Sequence, residues 1–557
     1  MRKNGIHLSA CRLLRLTLCG AWLSAAIGLQ AQEEQLSKSL TLVKPYQPSV
    51  SDAQKQLVAP GVYDTIRLQP VFEYIVTPQQ GRLGLGTEVP QPKLPDAADT
   101  ASLSHGYLSE GAGNYRVKDI AAGYHSGRNG RMAYGADFTH YSLRGKTRLG
   151  NGLRVPSKQS DNQLSLYGKY FAERMNWDAH VNLARRVTHG YGYNYFILPD
   201  TVINNRNRYL LADAEVHMQT LPDVFGHNLD ARGGYHGIKD NHDYRENRNY
   251  ISGSMPFEYF TLYAEADHIR RSSRFDTLSW VVSLGGVARV TRRIDWFTVK
   301  AGLLTYFIKE DGLNIKWRIW PEIEVQYHGW LSAQPYAGVR GGVQLRTYRD
   351  LLVENPFMTP GALAAHSYTP WDVYAGVQGG DAARRLRYGA EVSFRRQKNT
   401  PFFVNRNDGI GNQFDVLCDN LSLLTLRGEA QWQILPELRL DAAYSFYGYD
   451  PEHFEKAWHM PRSEAEVKVA WHFLPKWSAS VRTERIGARY GLLYDAPDAW
   501  RKMKPFTDFG VKVEFRMMHN SIIYLELNNL FSQQYERWMF YPTQKLNFII
   551  GSHYYFK

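Results

Sequence analysis

Leu546-Asn547-Phe548-Ile549-Ile550-Gly551-Ser552-His553-Tyr554-Tyr555-Phe556, followed only by Lys557, alternates in character from residue to residue. Successive side chains of a strand point to opposite sides. One face therefore carries Leu546, Phe548, Ile550, Ser552, Tyr554 and Phe556, and the other Asn547, Ile549, Gly551, His553 and Tyr555. The first face is apolar and ends in aromatics, and the second is largely polar or small. A soluble sheet alternates too. A stretch that stops one residue after an outward phenylalanine reads instead as the closing strand of an outer-membrane barrel, with Phe548, Ile550, Tyr554 and Phe556 against lipid.

The same alternation recurs upstream. Ile315, Trp317, Ile319, Ile323, Val325 and Tyr327 oppose Lys316, Arg318, Glu322, Glu324 and Gln326. Leu424, Leu426, Ala430, Trp432 and Ile434 oppose Thr425, Arg427, Glu429 and Gln431. Val467, Val469, Trp471 and Phe473 oppose Glu466, Lys468 and His472, while Phe509, Val511, Val513, Phe515 and Met517 oppose Asp508, Lys512, Glu514 and Arg516. Short connectors (Gly127–Gly130, Leu221–Gly226, Thr291–Ile294, Leu435–Glu437, Leu474–Lys476, Met518–Asn520) alternate with long polar ones at 146–161, 190–206, 350–369, 398–412, 450–462 and 491–505. Tight turns inside and long loops outside are the asymmetry of such barrels. The expected fold is all-β: a transmembrane antiparallel barrel of about 22 strands over residues 104–557. Whether Gly106–Tyr115 and Arg116–Ser126 are separate strands is left open, and Pro321, lacking a ladder donor, suggests a bulge.

Composition agrees with this class. Arg2, Lys3, Arg12 and Arg15 precede an apolar run near Leu16–Leu29, so residues 1–31 read as a secretory signal peptide. Leu16-Thr17-Leu18-Cys19 offers a lipoprotein signal as the alternative. Without residues 1–31 the formal charge falls from +12 to +8, and Cys418 is the single cysteine left, which excludes an intramolecular disulfide framework. The basic balance suits phosphorylated lipid or anionic solutes, and scattered solvated loops explain it equally well. No segment is apolar enough for a transmembrane helix. Residues 32–103 carry Pro45, Pro48, Pro60, Pro70, Pro78, Pro90, Pro92 and Pro95, and read as a Pro-rich periplasmic or lumenal segment.

At the C-terminal end the residues become specific. Asp508–Val513, Ile523–Phe531, Gln534-Tyr535-Glu536 and the final strand resemble the closing hairpins of TonB-dependent receptor barrels, in which Asn-Leu-Phe precedes a tyrosine; here those positions are Asn529-Leu530-Phe531 and Tyr535. The match covers roughly residues 460–557. The resemblance implies a 22-stranded barrel of importers of scarce, bulky nutrients. Such importers carry an N-terminal plug of well over a hundred residues, whereas residues 32–103 are short and Pro-rich. The resemblance therefore implies a plugless relative.

Candidate sites follow from the polar faces. Lys316, Arg318, Glu322, Glu324, Arg427, Glu429, Glu466, Lys468, Lys512, Glu514 and Arg516 are expected to face the lumen. They line a hydrated path, bind the N-terminal segment, or simply pair across strands to stabilise a wet wall. Their mixed signs argue against a greasy tunnel for fatty acids. His227, His236, Asp240, His242 and Asp243 have the chemistry of metal ligands but no fixed spacing. His189–Phe196, rich in Tyr and Gly, suits either an adaptable recognition surface or an aromatic girdle. No catalytic motif is present: Gly81, Gly84 and Gly86 lack a surrounding strand–helix unit. No cofactor and no nucleic acid are expected. The expected partners are outer-membrane lipids including lipopolysaccharide, and a lipoprotein or envelope-complex subunit. A solute transporter or channel is the leading reading, and a non-transporting barrel subunit of an assembly or secretion complex is the alternative.

Overall fold

In the computed structural model the strand Asn547–Phe556 lies antiparallel to Gly106–Gly113, with Gly106 opposite Phe556 and Gly113 opposite Ile549. The other wall ladders join strands that follow one another along the chain. This last ladder turns the meander into a closed ring of 22 antiparallel strands. A closed ring leaves no edge, which a backbone in hydrocarbon requires. The structure describes residues 105–556 apart from 128–129, 198–204, 222–227, 273–278, 311–313, 331, 382–384 and 493–499. The signal peptide and the Pro-rich segment lie outside the described residues.

Adjacent isoleucines show the two faces of the wall: Ile550 is 56% exposed and Ile549 5%. Phe548, Tyr554 and Phe556 share the exposed face, as the alternation requires. Around the ring, exposed Leu166, Val181, Ile251, Leu303, Val392 and Leu426 continue an apolar belt. Trp177, Tyr259, Trp296, Trp330, Trp432 and Trp477 border it on one side. One exposed aromatic is ordinary, but a ring of them at one level is an interfacial girdle. The wall is therefore membrane-spanning. No helix among the described residues is long and apolar enough to cross a bilayer.

The two ends differ. Beside Gly106 and Phe556 the turns are tight: Asp295-Trp296, Pro436-Glu437, Pro475-Lys476 and His519-Asn520 each join two strands directly. At the far end lie long connections, among them 345–366, 452–462, 487–505 and 529–546.

Several expected boundaries change. Residues 146–161 and 398–412 were expected to be loops, yet the strands Met132–Arg148, Arg154–Phe171 and Leu386–Asn405 run through most of them. Their 17, 18 and 20 residues exceed the roughly 9–11 needed to cross a bilayer. Beyond the apolar belt neither face meets lipid, and loops cover both: Phe403 packs into one loop core, Phe402 and Val404 into another, so the ladder continues without an alternating signal. Thr291–Ile294 also stays in its strand, and the turn falls on Asp295, whose φ is 48°. Gly106–Gly113 and Val117–His125 are separate strands, hinged at Tyr115 and Arg116 with φ of 54° and 53°. No bulge occurs at Pro321: it sits opposite Leu303 in unbroken register. The ladder on its other side ends at Ile323 instead.

Candidate functional site

On the polar face between Asn205–Thr220 and Leu386–Asn405, carboxylates, cations and tyrosines are knitted across neighbouring strands. Arg289 grips Glu322 with Nη2 at 2.6 and 2.9 Å from the two carboxylate oxygens. Lys300, directly opposite Glu324, donates to it at 2.6 Å, and the Tyr374 hydroxyl donates to its other oxygen at 2.8 Å. Arg340 bonds Asp372 at 3.0 Å and stacks over the Tyr374 ring at 4.4 Å. Tyr336 donates to Glu391 at 2.9 Å, Tyr306 to Glu265, and Tyr250 to Glu215. These pairs, from 1% exposed at Asp372 to 37% at Arg289, hold one another in place more than they add stability. They also leave few charges free to grip a single ion.

The other expected residues fall into separate patches. Arg427 pairs with Glu429 at 2.8 Å along one strand. Glu466 takes Lys468 at 3.1 Å and Arg482 at 3.3 Å. Lys512 bonds Glu514 at 2.8 Å and lies over the Tyr524 ring at 4.7 Å. Arg516 acts electrostatically on Tyr555. Arg318 sits over Tyr368 at 4.4 Å, and Lys316 is within electrostatic reach of His366. The eleven residues therefore do not converge on one point. Arg289, Lys300, Arg340, Asp372 and Glu391 were missed, because their partners emerge only from strand register.

The far end is crossed by its own loops. Thr347 and Asp350 form a capping box that starts the helix α1 (Tyr348–Glu354). On one side α1 is tied to the sixth to eighth strands, Asn205–Thr220, Asp230–Asp240 and Arg245–Pro256. The Tyr348 amide donates to Glu246 at 3.0 Å, its hydroxyl to Asp240 at 3.3 Å, and the Arg349 guanidinium pairs with Asp213. On the other side Met358 bridges Phe414, and Thr359 donates to Asp415 at 2.6 Å. Phe414 opens the sixteenth strand of a ring of 22, nearly opposite the sixth, so this loop spans the bore. Leu351, Leu352, Met358, Phe403, Phe414, Trp538 and Tyr541 form its apolar core, each 5% exposed or less.

The stretch His189–Phe196 is neither recognition surface nor girdle. Tyr191, Tyr193 and Tyr195 pack inward, and Phe196 alone is largely exposed. The hydroxyl of Tyr191 donates to the Pro542 carbonyl at 2.8 Å, and its ring meets Tyr541 edge-on at 5.0 Å. Gly192 permits this: a Cβ there would lie 2.6 Å from both the Phe540 carbonyl oxygen and the Tyr541 ring. As for the metal candidates, His236 bonds Asp213 at 2.8 Å, and Asp240 accepts the amides of His242 and Tyr244. Asp243 takes φ 64° in the same turn, and His227 lies outside the described residues. Among the described residues no three His, Cys, Asp or Glu side chains are grouped to hold a metal.

Two buried histidines make this lid sensitive to acid. Burial, aided by nearby arginines, lowers His459 to about 3 and His366 to about 4. His459 donates from Nδ1 to the Phe403 carbonyl at 2.8 Å, and His366 Nδ1 accepts the Arg346 amide at 2.9 Å. A base depressed by folding contributes stability that is present above its unfolded value and lost as pH falls through the folded one. Each ring therefore costs the lid about 2 kcal/mol at pH 5. Glu354, pushed up to about 7 by burial, works in the opposite direction. Limited proteolysis of the lid is thus expected to accelerate below pH 6, and His459→Gln to flatten that slope. Equal slopes in the two proteins would contradict the assignment.

No family model and no curated protein matches the chain. Its fold is shared with solved barrels. The FrpB iron transporter from Neisseria meningitidis (F3-3 variant) superposes with a TM-score of 0.66 at 11% identity, over 82% of each chain. The ferric-catecholate import receptor Fiu from K12 E. coli gives 0.62 at 9%, over 81% of this chain and 82% of that one. The pyoverdine receptor FpvA from Pseudomonas aeruginosa gives 0.64 at 11%, over 81% and 78%. These are TonB-dependent receptors. At such identity the likeness is one of architecture, that of an outer-membrane barrel of receptor type.

Proposed function

We propose that this receptor-type barrel passes a polar solute across the outer membrane, through a hydrated bore occluded at its far end by the α1 lid. The observation that carries this reading is the position of the lid. Its tethers reach from Asp213 and Glu246 to Phe414 and Asp415, so it crosses the bore. The expected lumenal set, from Lys316 and Arg318 through Glu466 and Lys468 to Lys512, Glu514 and Arg516, then gives the solute a wet wall of balanced charge. The barrels that share the fold are named for iron, a ferric catecholate and pyoverdine. A metal-bearing anionic chelate is thus the solute class to try first. In this reading residues 32–103 act in place of a full plug, as expected of a plugless relative.

The cohesion of the lid also supports a second reading, a permanently closed barrel that serves as a subunit of an envelope complex. Planar-bilayer recordings separate the two. The full-length protein, a deletion of residues 32–103, and a variant with 347–365 replaced by a short Gly-Ser linker should be compared. Passage predicts that the linker variant conducts. If all three stay silent, with stoichiometric partners recovered in mild detergent, transport is refuted and the scaffold reading stands.

A further inference from the structure

One ladder of the wall is short. The strand Lys316–Tyr327 pairs with its predecessor from Lys316 to Tyr327, but with its successor, Ala333–Gln344, only from Ile323 to Gln326. Along residues 316–322 the next strand, which runs on to Gln344, forms no ladder with this edge, on the far-end side of the membrane belt. Unpaired edges are costly in a membrane wall, and three features soften this one. Pro321 has no N–H to leave unpaired. The neighbouring ladder shifts register between Arg340 and Gly342, opposite Pro370 and Trp371. Gly341 lets the Trp320 indole lie across the gap, since a Cβ there would stand 2.3 Å from it.

The gap is a cavity of about 320 Å³ lined by Trp317, Arg318, Ile319, Trp320, Tyr368, Pro370 and Lys398. Residues of both faces contribute. Trp317 and Ile319, exposed on the lipid side, alternate with Arg318 and Trp320 of the inner face. The Arg318 guanidinium sits over the Tyr368 ring at 4.4 Å, beside the opening. Among the described residues, two cations and no carboxylate line the cavity. Glu310, whose field reaches Tyr368, faces His366 at 3.8 Å.

We infer that this seam binds a lipid of the outer leaflet through a phosphorylated headgroup. The Arg318 fork and the Lys398 ammonium take the phosphate, and Trp317 and Ile319 take the first part of an acyl chain. Charge complementarity selects the phosphate, because a guanidinium and an ammonium share the cavity with no carboxylate among its described lining residues. Position selects the lipid, because the lipid-facing Trp317 and Ile319 line the cavity at the far-end border of the apolar belt. The inference is independent of whether the bore conducts.

The test is native mass spectrometry of the full-length protein in detergent, offered dioleoyl phosphatidic acid, dioleoylglycerol or inorganic phosphate. Retention of phosphatidic acid, without the diacylglycerol and without displacement by phosphate, is expected. The R318Q/K398Q double variant is expected to bind it about tenfold or more weakly, and K398Q alone by an intermediate amount. Both side chains are exposed, and heat-modifiable gel migration checks that the variants fold. Equal retention of dioleoylglycerol, displacement by free phosphate, or unchanged binding in the double variant overturns the inference.

Discussion

Gly551→Ala is expected to prevent closure of the barrel, although it adds one methyl group. Gly551 lies opposite Gly111 in the ladder that joins the last strand to the first. The Tyr524 ring from the preceding strand lies across both. A Cβ on Gly551 would stand 2.3 Å from the Glu110 carbonyl oxygen and 2.4 Å from the Tyr524 ring. A Cβ on Gly111 would stand 2.5 Å from the Tyr524 hydroxyl and 2.9 Å from the Ile549 side chain. The first clash includes backbone that the ladder holds in place; the second involves side chains alone. Overpacking costs about 1–3 kcal/mol where side chains can give way, and more where backbone must move. Gly551→Ala should therefore abolish the heat-modifiable folded band and deplete the protein from outer-membrane fractions. Gly111→Ala should reduce both. Adding Tyr524→Leu should rescue Gly111→Ala and leave Gly551→Ala unfolded. Wild-type assembly of Gly551→Ala would disprove this account of the seam.

That glycine pair was legible only as a small residue on the inner face of the last strand. Its partner is more than four hundred residues away, and nothing local identifies it. The faces of Phe548, Ile550, Tyr554 and Phe556 were legible because hydrocarbon on one side and water on the other impose a period of two. Where the wall leaves the bilayer that constraint ends, which is why residues 154–161 and 398–405 of the strands Arg154–Phe171 and Leu386–Asn405 looked like loops. The inner charges were legible as a polar face but not as pairs, since Lys300 meets Glu324 only through register. The tyrosines of 189–196 misled for a related reason. Tyr-Gly-Tyr composition suits an exposed loop, and what buries it is Phe540 and Tyr541, contributed from the other end of the chain. Gly190 and Gly192 were the available hint, because a surface loop has no need of two Cβ-free positions beside three aromatics.

The same long-range core gives the second large effect. Tyr541 is 2% exposed, stacks on Phe357 at 3.9 Å, meets Tyr191 at 5.0 Å and donates to the Asn412 carbonyl. It thereby joins three loops, those before Ser367, before Asn205 and before Phe414. Truncating so large a buried ring costs about 3–5 kcal/mol, because packed neighbours fill the cavity only partly. The wall does not share that cost, since its strands are held by ladders that none of these contacts touch. Tyr541→Ala should thus leave the heat-modifiable band and the membrane yield unchanged. Cleavage within 345–366 should accelerate between about 10²- and nearly 10⁴-fold, as expected when proteolysis follows the open population. Phe196→Ala, which removes a ring already 67% exposed, is the control and should alter neither. Bilayer recordings of Tyr541→Ala then divide the possibilities. Faster cleavage with new conductance makes the lid the gate of the bore. Faster cleavage in a silent barrel places the barrier elsewhere in the lumen. Unchanged cleavage shows that the three loops cohere without this ring, which would contradict the packing from which the lid was inferred.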